Sequence, residues 1–178
     1  MHIQHFLRLA LVLAVLVAAP TAIAAGSVLP GVQVPPGEFN QAIAALAALT
    51  TWRDQPPMYV DLCDPLDPAG TPARKSLVDT WRAEHAADFD RITGYENRLA
   101  PVMFRIEGIV SADPGRQLRE ETQVHLRDHL RAKTHDQMLK TCTGFAGLTM
   151  FNESVIAPIR SKAFLILAHW ATGQGAQR

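Results

Sequence analysis

The sequence predicts an all-α protein: an irregular bundle of four to five helices that follows a cleaved signal peptide and a Pro/Gly-rich N-terminal arm. Apolar residues recur at spacings of three and four along several stretches, which is typical of one face of an α-helix. Capping residues placed just before prolines mark expected helix starts. No stretch combines alternating apolar and polar residues with the Asn-Gly or Asp-Gly turns that favour β-hairpins.

The N-terminus has the three parts of a secretory signal peptide. A leader that contains Arg8 is followed by the unbroken apolar run Leu9–Ala19, and the small residues Ala22 and Ala24 precede the expected cleavage site. The run of about 11 residues is too short for a membrane-spanning helix, which needs about 20. We therefore expect residues 1–24 to be removed and the mature protein to be periplasmic or secreted.

The composition favours one folded domain and excludes some partners. Of 178 residues, 48% are hydrophobic, and 17 Lys and Arg balance 17 Asp and Glu. Such a hydrophobic fraction is typical of a packed core rather than a disordered chain. Because no basic excess is present, we expect no nucleic-acid partner. The apolar runs are too short for a stable span of the membrane.

The two cysteines, Cys63 and Cys142, predict one disulfide, because an exported protein folds in an oxidising compartment. Two free thiols, or a metal bound by one of them, are the alternatives. Closing a loop of this length contributes at most roughly 4–5 kcal/mol to the free energy of unfolding. Neither cysteine belongs to a Cys-x-x-Cys motif, so a redox-active pair and covalent haem attachment are not expected.

The expected domain organisation after the signal peptide has three parts. Residues 25–37 are rich in proline and glycine and form the irregular arm. Residues 38–172 form a single helical domain, and residues 173–178 form a disordered C-terminal tail. The domain opens with a helix over 38–50, whose apolar residues are Phe39, Ile43, Leu46 and Leu49.

The adjacent prolines Pro56 and Pro57 are expected to prevent the first helix from continuing, and the segment up to Cys63 is expected to be extended. Thr71 and Asp113 each precede a proline and mark the starts of later helices. Gly94 is expected to stop one helix, and Pro101 to lie near the start of the next. These helices are predicted over 71–93, 96–110, 113–141 and 154–171.

Within the last helix, Ala163–Trp170 is apolar apart from His169. We expect this segment to be buried on all sides, since a helix that is hydrophobic all round usually lies in a core.

One constellation could carry chemistry. Glu121, His125 and His129 are spaced by four, which places them along one helical face, where two imidazoles can bind one metal ion and a carboxylate can assist. The pair is expected to face the core or a groove, and His85 on the second helix could complete the site. The sequence lacks a His-Glu-x-x-His motif, and packed structural histidines are the competing interpretation.

The sequence therefore predicts a small secreted or periplasmic helical protein that acts by binding, as an accessory, inhibitor, immunity or adaptor module, and without catalysis. Its expected partner is another envelope or secreted protein. A metal- or haem-binding protein that uses the helix histidines is the alternative, although no cofactor is required by the sequence. An enzyme of an unfamiliar kind is the second alternative, with no Gly-x-Ser-x-Gly elbow or phosphate-binding loop to support it.

Overall fold

The computed structural model describes residues 36–175, which contain six α-helices, three short 3₁₀ turns and no strand. The helices are α1 (Pro36–Cys63), α2 (Thr71–Glu84), α3 (Ala86–Glu107), α4 (Pro114–Arg131), α5 (His135–Thr143) and α6 (Glu153–Gly175). The 3₁₀ turns are Pro68–Gly70, Phe145–Gly147 and Thr149–Phe151. The all-α prediction is confirmed, whereas the predicted four to five helices are fewer than the six observed. The predicted signal peptide and the arm up to residue 35 lie outside the described residues.

Helix α1 forms the centre of the bundle. It packs against all five other described helices, most extensively against α6. Its buried side chains extend around most of the circumference of the helix, in agreement with its contacts to neighbours on several sides. Among residues 36–175, no helix has the length and apolar character needed to cross a bilayer.

The expected end of the first helix before Pro56 and Pro57 is wrong, because α1 continues through both prolines to Cys63. A proline inside a helix removes one backbone hydrogen bond and costs about 3 kcal/mol. Here Pro56 is itself fully buried, and the neighbouring Trp52 and Met58 are buried as well. Burial of this apolar surface offsets the lost hydrogen bonds, so tertiary packing outweighs local propensity.

The disulfide between Cys63 and Cys142 is present and joins the end of α1 to α5. The two Cα atoms are 5.4 Å apart, and both cysteines are buried. Next to it, the buried Arg74 donates hydrogen bonds to the backbone oxygen and the carboxylate of Asp67 and to the carbonyl of Cys142. The bridge and Arg74 therefore hold the loop after α1 against α2 and α5.

The predicted end of the helix over 71–93 is wrong, because α2 ends at Glu84 and α3 begins after His85, whereas the end was expected at Gly94. Gly94 lies inside α3 with open space around it, so nothing there forces a stop. Pro101, expected near a helix start, also lies deep within α3. The helix ends at Gly108, whose φ of 69° is the left-handed conformation that glycine adopts easily at helix ends.

The predicted helix over 113–141 is two helices, α4 and α5. Its start is confirmed, since the Asp113 carboxylate accepts a hydrogen bond of 3.0 Å from the backbone N–H of Arg116. The break comes at Thr134, which forms a capping box with Gln137: each side chain bonds the backbone N–H of the other residue. This Thr-x-x-Gln pattern starts a new helix and explains the division.

Helix α6 starts one residue before the predicted Ser154 and continues to Gly175, so the first three residues of the predicted tail are helical. The last three residues lie outside the described part. The prediction that Ala163–Trp170 is buried on all sides is wrong. Leu167 and Trp170 are buried, but Leu165 is 71% exposed.

Candidate functional site

The predicted histidine pair lies on α4, where its environment differs from the expectation. His125 and Glu121 are half-buried, whereas His129 is exposed. The buried face of α4 is formed by Leu118, Leu126 and Leu130. The expectation that both histidines face the core or a groove rather than solvent is therefore wrong for His129, which is exposed beside the buried leucine side of α4.

His85 lies elsewhere, at the break between α2 and α3. Its ring contacts the rings of Trp52 and Trp81, with centroids 5.0 and 5.8 Å away, and its Nε2 is 3.3 Å from a carboxylate oxygen of Glu153. Within residues 36–175, no three side chains of His, Cys, Asp or Glu form a group that could hold a metal ion. The metal site of His125, His129, Glu121 and His85 stays a prediction, without further support from their positions.

A buried charged cluster connects three helices. The Glu96 carboxylate of α3 is 1% exposed and accepts hydrogen bonds from Thr50 and from two nitrogens of Arg53, both on α1. Arg119 of α4 lies 3.5 Å from the same carboxylate. Arg53 also donates two hydrogen bonds to Asp54. The cluster neutralises its own charges, so it holds α1, α3 and α4 together and offers no free group for chemistry.

The protonation of Arg53 agrees with this structural role. Burial alone lowers the pKa of its guanidinium, but the hydrogen bonds and negative charges of Asp54 and Glu96 outweigh burial and raise the pKa above its ordinary value. The raised pKa keeps Arg53 charged, as its ion pairs with Asp54 and Glu96 require.

The most unusual surface of the described chain is on α6. At 100° per residue, one arc of this helix carries a continuous set of side chains opposite its most buried residues. At one end of this arc, the Nε2 of His169 lies 4.0 Å from a carboxylate oxygen of Glu38 on α1. We call this set the outer α6 face; its members are Val155, Pro158, Ile159, Lys162, Leu165, Ile166 and His169.

The outer α6 face is largely apolar, and its members are exposed to solvent except for Ile166, which is half-buried against the core. Val155 is 41%, Ile159 53% and Leu165 71% exposed. The opposite side of α6, which includes Phe164 and Leu167, is buried. No Asp or Glu belongs to the outer face, and its ionisable members are Lys162 and His169. An exposed helical face of this composition is typical of a surface that another molecule covers.

Sequence analysis missed this face because it assigned the apolar character of the last helix to the core. The signal was nevertheless present: a helix that is apolar on all sides but lies at the edge of a bundle must expose half of its apolar side chains. The order of the elements does not show which helix lies at the edge, so the periodicity alone cannot distinguish α6 from α1.

A groove of about 370 Å³ lies between α1 and α2. Its floor includes Val60 and Val78, and its walls carry charged side chains of both signs: Asp61, Asp64, Lys75, Asp79 and Arg82. All five charged residues are exposed. Because the groove is open and its charges are mixed, it favours no particular class of ligand.

The described residues thus form an all-α fold with one internal disulfide, an apolar core that contains a small buried charged cluster, and one exposed, largely apolar helix face. No protein-family model, curated protein or solved structure matches the chain.

Proposed function

We propose that this protein acts by binding another protein through the outer α6 face, without catalysing a reaction. The observation that carries the proposal is the exposure of Val155, Ile159 and Leu165 on one side of a helix whose other side is fixed to the core. Most proteins that stay monomeric avoid contiguous apolar patches of this kind, because solvent contact with apolar surface is unfavourable.

The scaffold behind this face supports the proposal. Leu167 and Trp170 of α6 are buried, and α1 forms the most extensive packing partner of α6. A rigid helix that presents branched aliphatic side chains loses little conformational entropy on binding, which favours affinity. The partner would gain most from Leu165, because at 71% it is the most exposed of the large aliphatic side chains of the face and has the most apolar surface left to bury.

The compartment belongs to the same proposal. We place the protein in the periplasm or outside the cell, on the strength of the signal-like residues 1–24 and the disulfide between Cys63 and Cys142. Disulfides of this kind persist in oxidising compartments and are rare in the cytosol. The partner is then another envelope or secreted protein.

Site-specific photo-crosslinking tests the proposed interface. A photoreactive phenylalanine analogue is introduced at Ile159, at Leu165 or, as a control, at Val124, an exposed valine of α4. We expect one discrete adduct in the native compartment from positions 159 and 165 and none from position 124. The partner in the adduct is then identified and purified without the crosslink, and its affinity for the unmodified protein is measured.

Substitution decides whether the adduct reports a specific interface. Leu165→Glu should weaken binding of the purified partner by about tenfold or more, because it places a charge in the apolar contact. Val124→Glu should leave the affinity within about twofold. Equal adducts from all three positions, or a partner that binds the Leu165→Glu variant normally, would refute the proposed interface.

A further inference from the structure

Lys162 lies at the centre of the outer α6 face. Along the helix it stands midway between Val155 and His169, the first and last members of the face, and both lie within about 20° of it around the helix axis. Ile159 and Leu165 lie about 60° to either side. A partner that covers the face from end to end therefore also covers the ammonium group of Lys162.

The neighbours of Lys162 on the surface of α6 are apolar. Residues three and four positions apart adjoin each other on a helix, and at these distances from Lys162 the sequence has Pro158, Ile159, Leu165 and Ile166. None of these side chains can accept a hydrogen bond from an ammonium group. The lysine is thus a single charge in the middle of an aliphatic surface.

No carboxylate in the described part of the chain balances this charge. Lys162 is exposed and forms neither an ion pair nor a side-chain hydrogen bond with another described residue. Glu153 is the one acidic residue of α6, and its two oxygens already accept hydrogen bonds of 3.1 and 3.0 Å from Arg160. The ammonium of Lys162 therefore depends on water, which a partner would displace.

A second copy of this chain is a poor occupant of the outer α6 face. In a two-fold symmetric contact, the residue at the centre of the shared surface lies against its own copy. The ammonium groups of the two Lys162 side chains would then meet inside an apolar contact, where like charges disfavour association.

The position of Lys162 also argues against a membrane surface. Helices that lie on membranes carry their Lys and Arg residues on the polar side, with Trp, Phe and Leu on the apolar side. On the outer α6 face the lysine is at the centre of the aliphatic side chains, and the face has no aromatic residue. Insertion of this face would carry the charge towards the acyl chains, so a protein fits it better.

We infer that the partner of the outer α6 face carries one Asp or Glu side chain within an otherwise apolar strip, placed to pair with Lys162. This inference rests on the proposed function and names the chemistry of the partner. A cation that loses its water on binding costs free energy unless a charged hydrogen-bond acceptor replaces the water. Such a pair also fixes the register of two apolar surfaces, as single polar residues do in coiled coils.

Two synthetic peptides probe the inference. Both form amphipathic helices with the same leucine stripe, and the centre of the stripe carries Glu in one peptide and its neutral isostere Gln in the other. Fluorescence anisotropy measures their affinities for the purified protein. We expect the Glu peptide to bind about tenfold more tightly than the Gln peptide, because only the carboxylate can pair with the ammonium.

Substitution of Lys162 gives effects of opposite sign on the two peptides. Lys162→Met keeps the aliphatic stem and removes the charge. It should weaken binding of the Glu peptide about tenfold, because the carboxylate then lacks its partner. The Gln peptide should bind this variant at least as tightly as before, since no ammonium has to lose water. Lys162→Arg, which keeps the charge, should preserve the preference for Glu, and Lys140→Met on an exposed face of α5 should change neither affinity by more than about twofold.

The same variant tests the native partner. Lys162→Met should reduce the adduct from a photoreactive group at position 159 about fivefold or more in the native compartment. A partner with a purely apolar strip would instead give an equal or larger adduct, because the variant makes the face wholly aliphatic at its centre.

The outcomes separate this inference from the proposed function. If the unsubstituted lysine gives no adduct, the proposed interface is refuted and the inference with it. If an adduct forms but Lys162→Met leaves it unchanged or increases it, or if the Glu peptide binds no more tightly than the Gln peptide, the paired carboxylate is refuted while the proposed interface stands. Binding to phosphatidylglycerol vesicles that depends on Lys162, without a protein adduct, would assign the face to an anionic lipid surface and refute both.

Discussion

Helices α1 and α6 share an apolar composition but have different surroundings. Both are rich in apolar residues on every side, and both contain proline within the helix, Pro56 and Pro57 in one and Pro158 in the other. Helix α1 is covered by all five other described helices, whereas α6 is covered mainly by α1. The difference shows that the apolar character of a helix indicates that its side chains favour burial. The fold determines how many of them are buried by other parts of the same chain.

The largest expected effect comes from a substitution in the buried charged cluster that joins α1 to α3 and α4. Arg53→Met removes the cation that binds both Asp54 and Glu96, and it leaves two buried carboxylates without their main partner. We expect the free energy of unfolding to fall by about 3–5 kcal/mol, measured by chemical denaturation. The matched control Arg127→Met, on an exposed face of α4, should change it by less than about 0.5 kcal/mol. Similar losses in both variants would show that the cluster does not hold α1 in place.

The next effect compares the two sides of α6. Leu167→Ala creates a cavity beside α1, because Leu167 is 0% exposed, and should cost about 2–5 kcal/mol. Leu165→Ala removes a side chain that is 71% exposed and should cost less than about 0.5 kcal/mol. Thermal and chemical denaturation of both variants measure the difference. A large loss for Leu165→Ala would mean that the isolated chain already covers the outer α6 face.

The smallest effect concerns the loop that follows α1. The hydrogen bond from Arg74 lowers the pKa of Asp67 below its ordinary value of 3.8. A carboxylate with a lowered pKa stabilises the fold above its unfolded-state pKa, and this contribution disappears as the pH falls through the folded-state pKa. Stability should therefore decline as the pH falls from about 5 towards 2, and Asp67→Asn should reduce this decline. Identical pH profiles of stability for both proteins would contradict the role of Asp67.

Features encoded by a few neighbouring residues could be predicted from the sequence. The Asp113 cap depends on a side chain and a backbone N–H three residues away, and both are visible in the local sequence. The disulfide followed from the cysteine count and the expected compartment. The Thr134 capping box was equally local, and the Thr-x-x-Gln pattern would have placed the break between α4 and α5.

Features decided by distant residues could not be predicted in this way. Local rules end a helix at Pro56 and Pro57, but packing around α1 outweighs the lost hydrogen bonds. The exposure of Leu165 likewise depends on which helix lies at the edge, which is a property of the whole bundle. The position of His85 among Trp52, Trp81 and Glu153 required contacts from α1 and α6 that no spacing encodes.

The pairing of α1 with α6 also has a consequence for biosynthesis. These two helices are the first and last of the described range, separated by 153 − 63 = 90 residue positions. Because a ribosome delivers the chain from the N-terminus, α1 emerges long before its main packing partner exists. The part of its apolar surface that α6 covers must then remain exposed until the final helix is available, which makes the incompletely folded chain prone to aggregation.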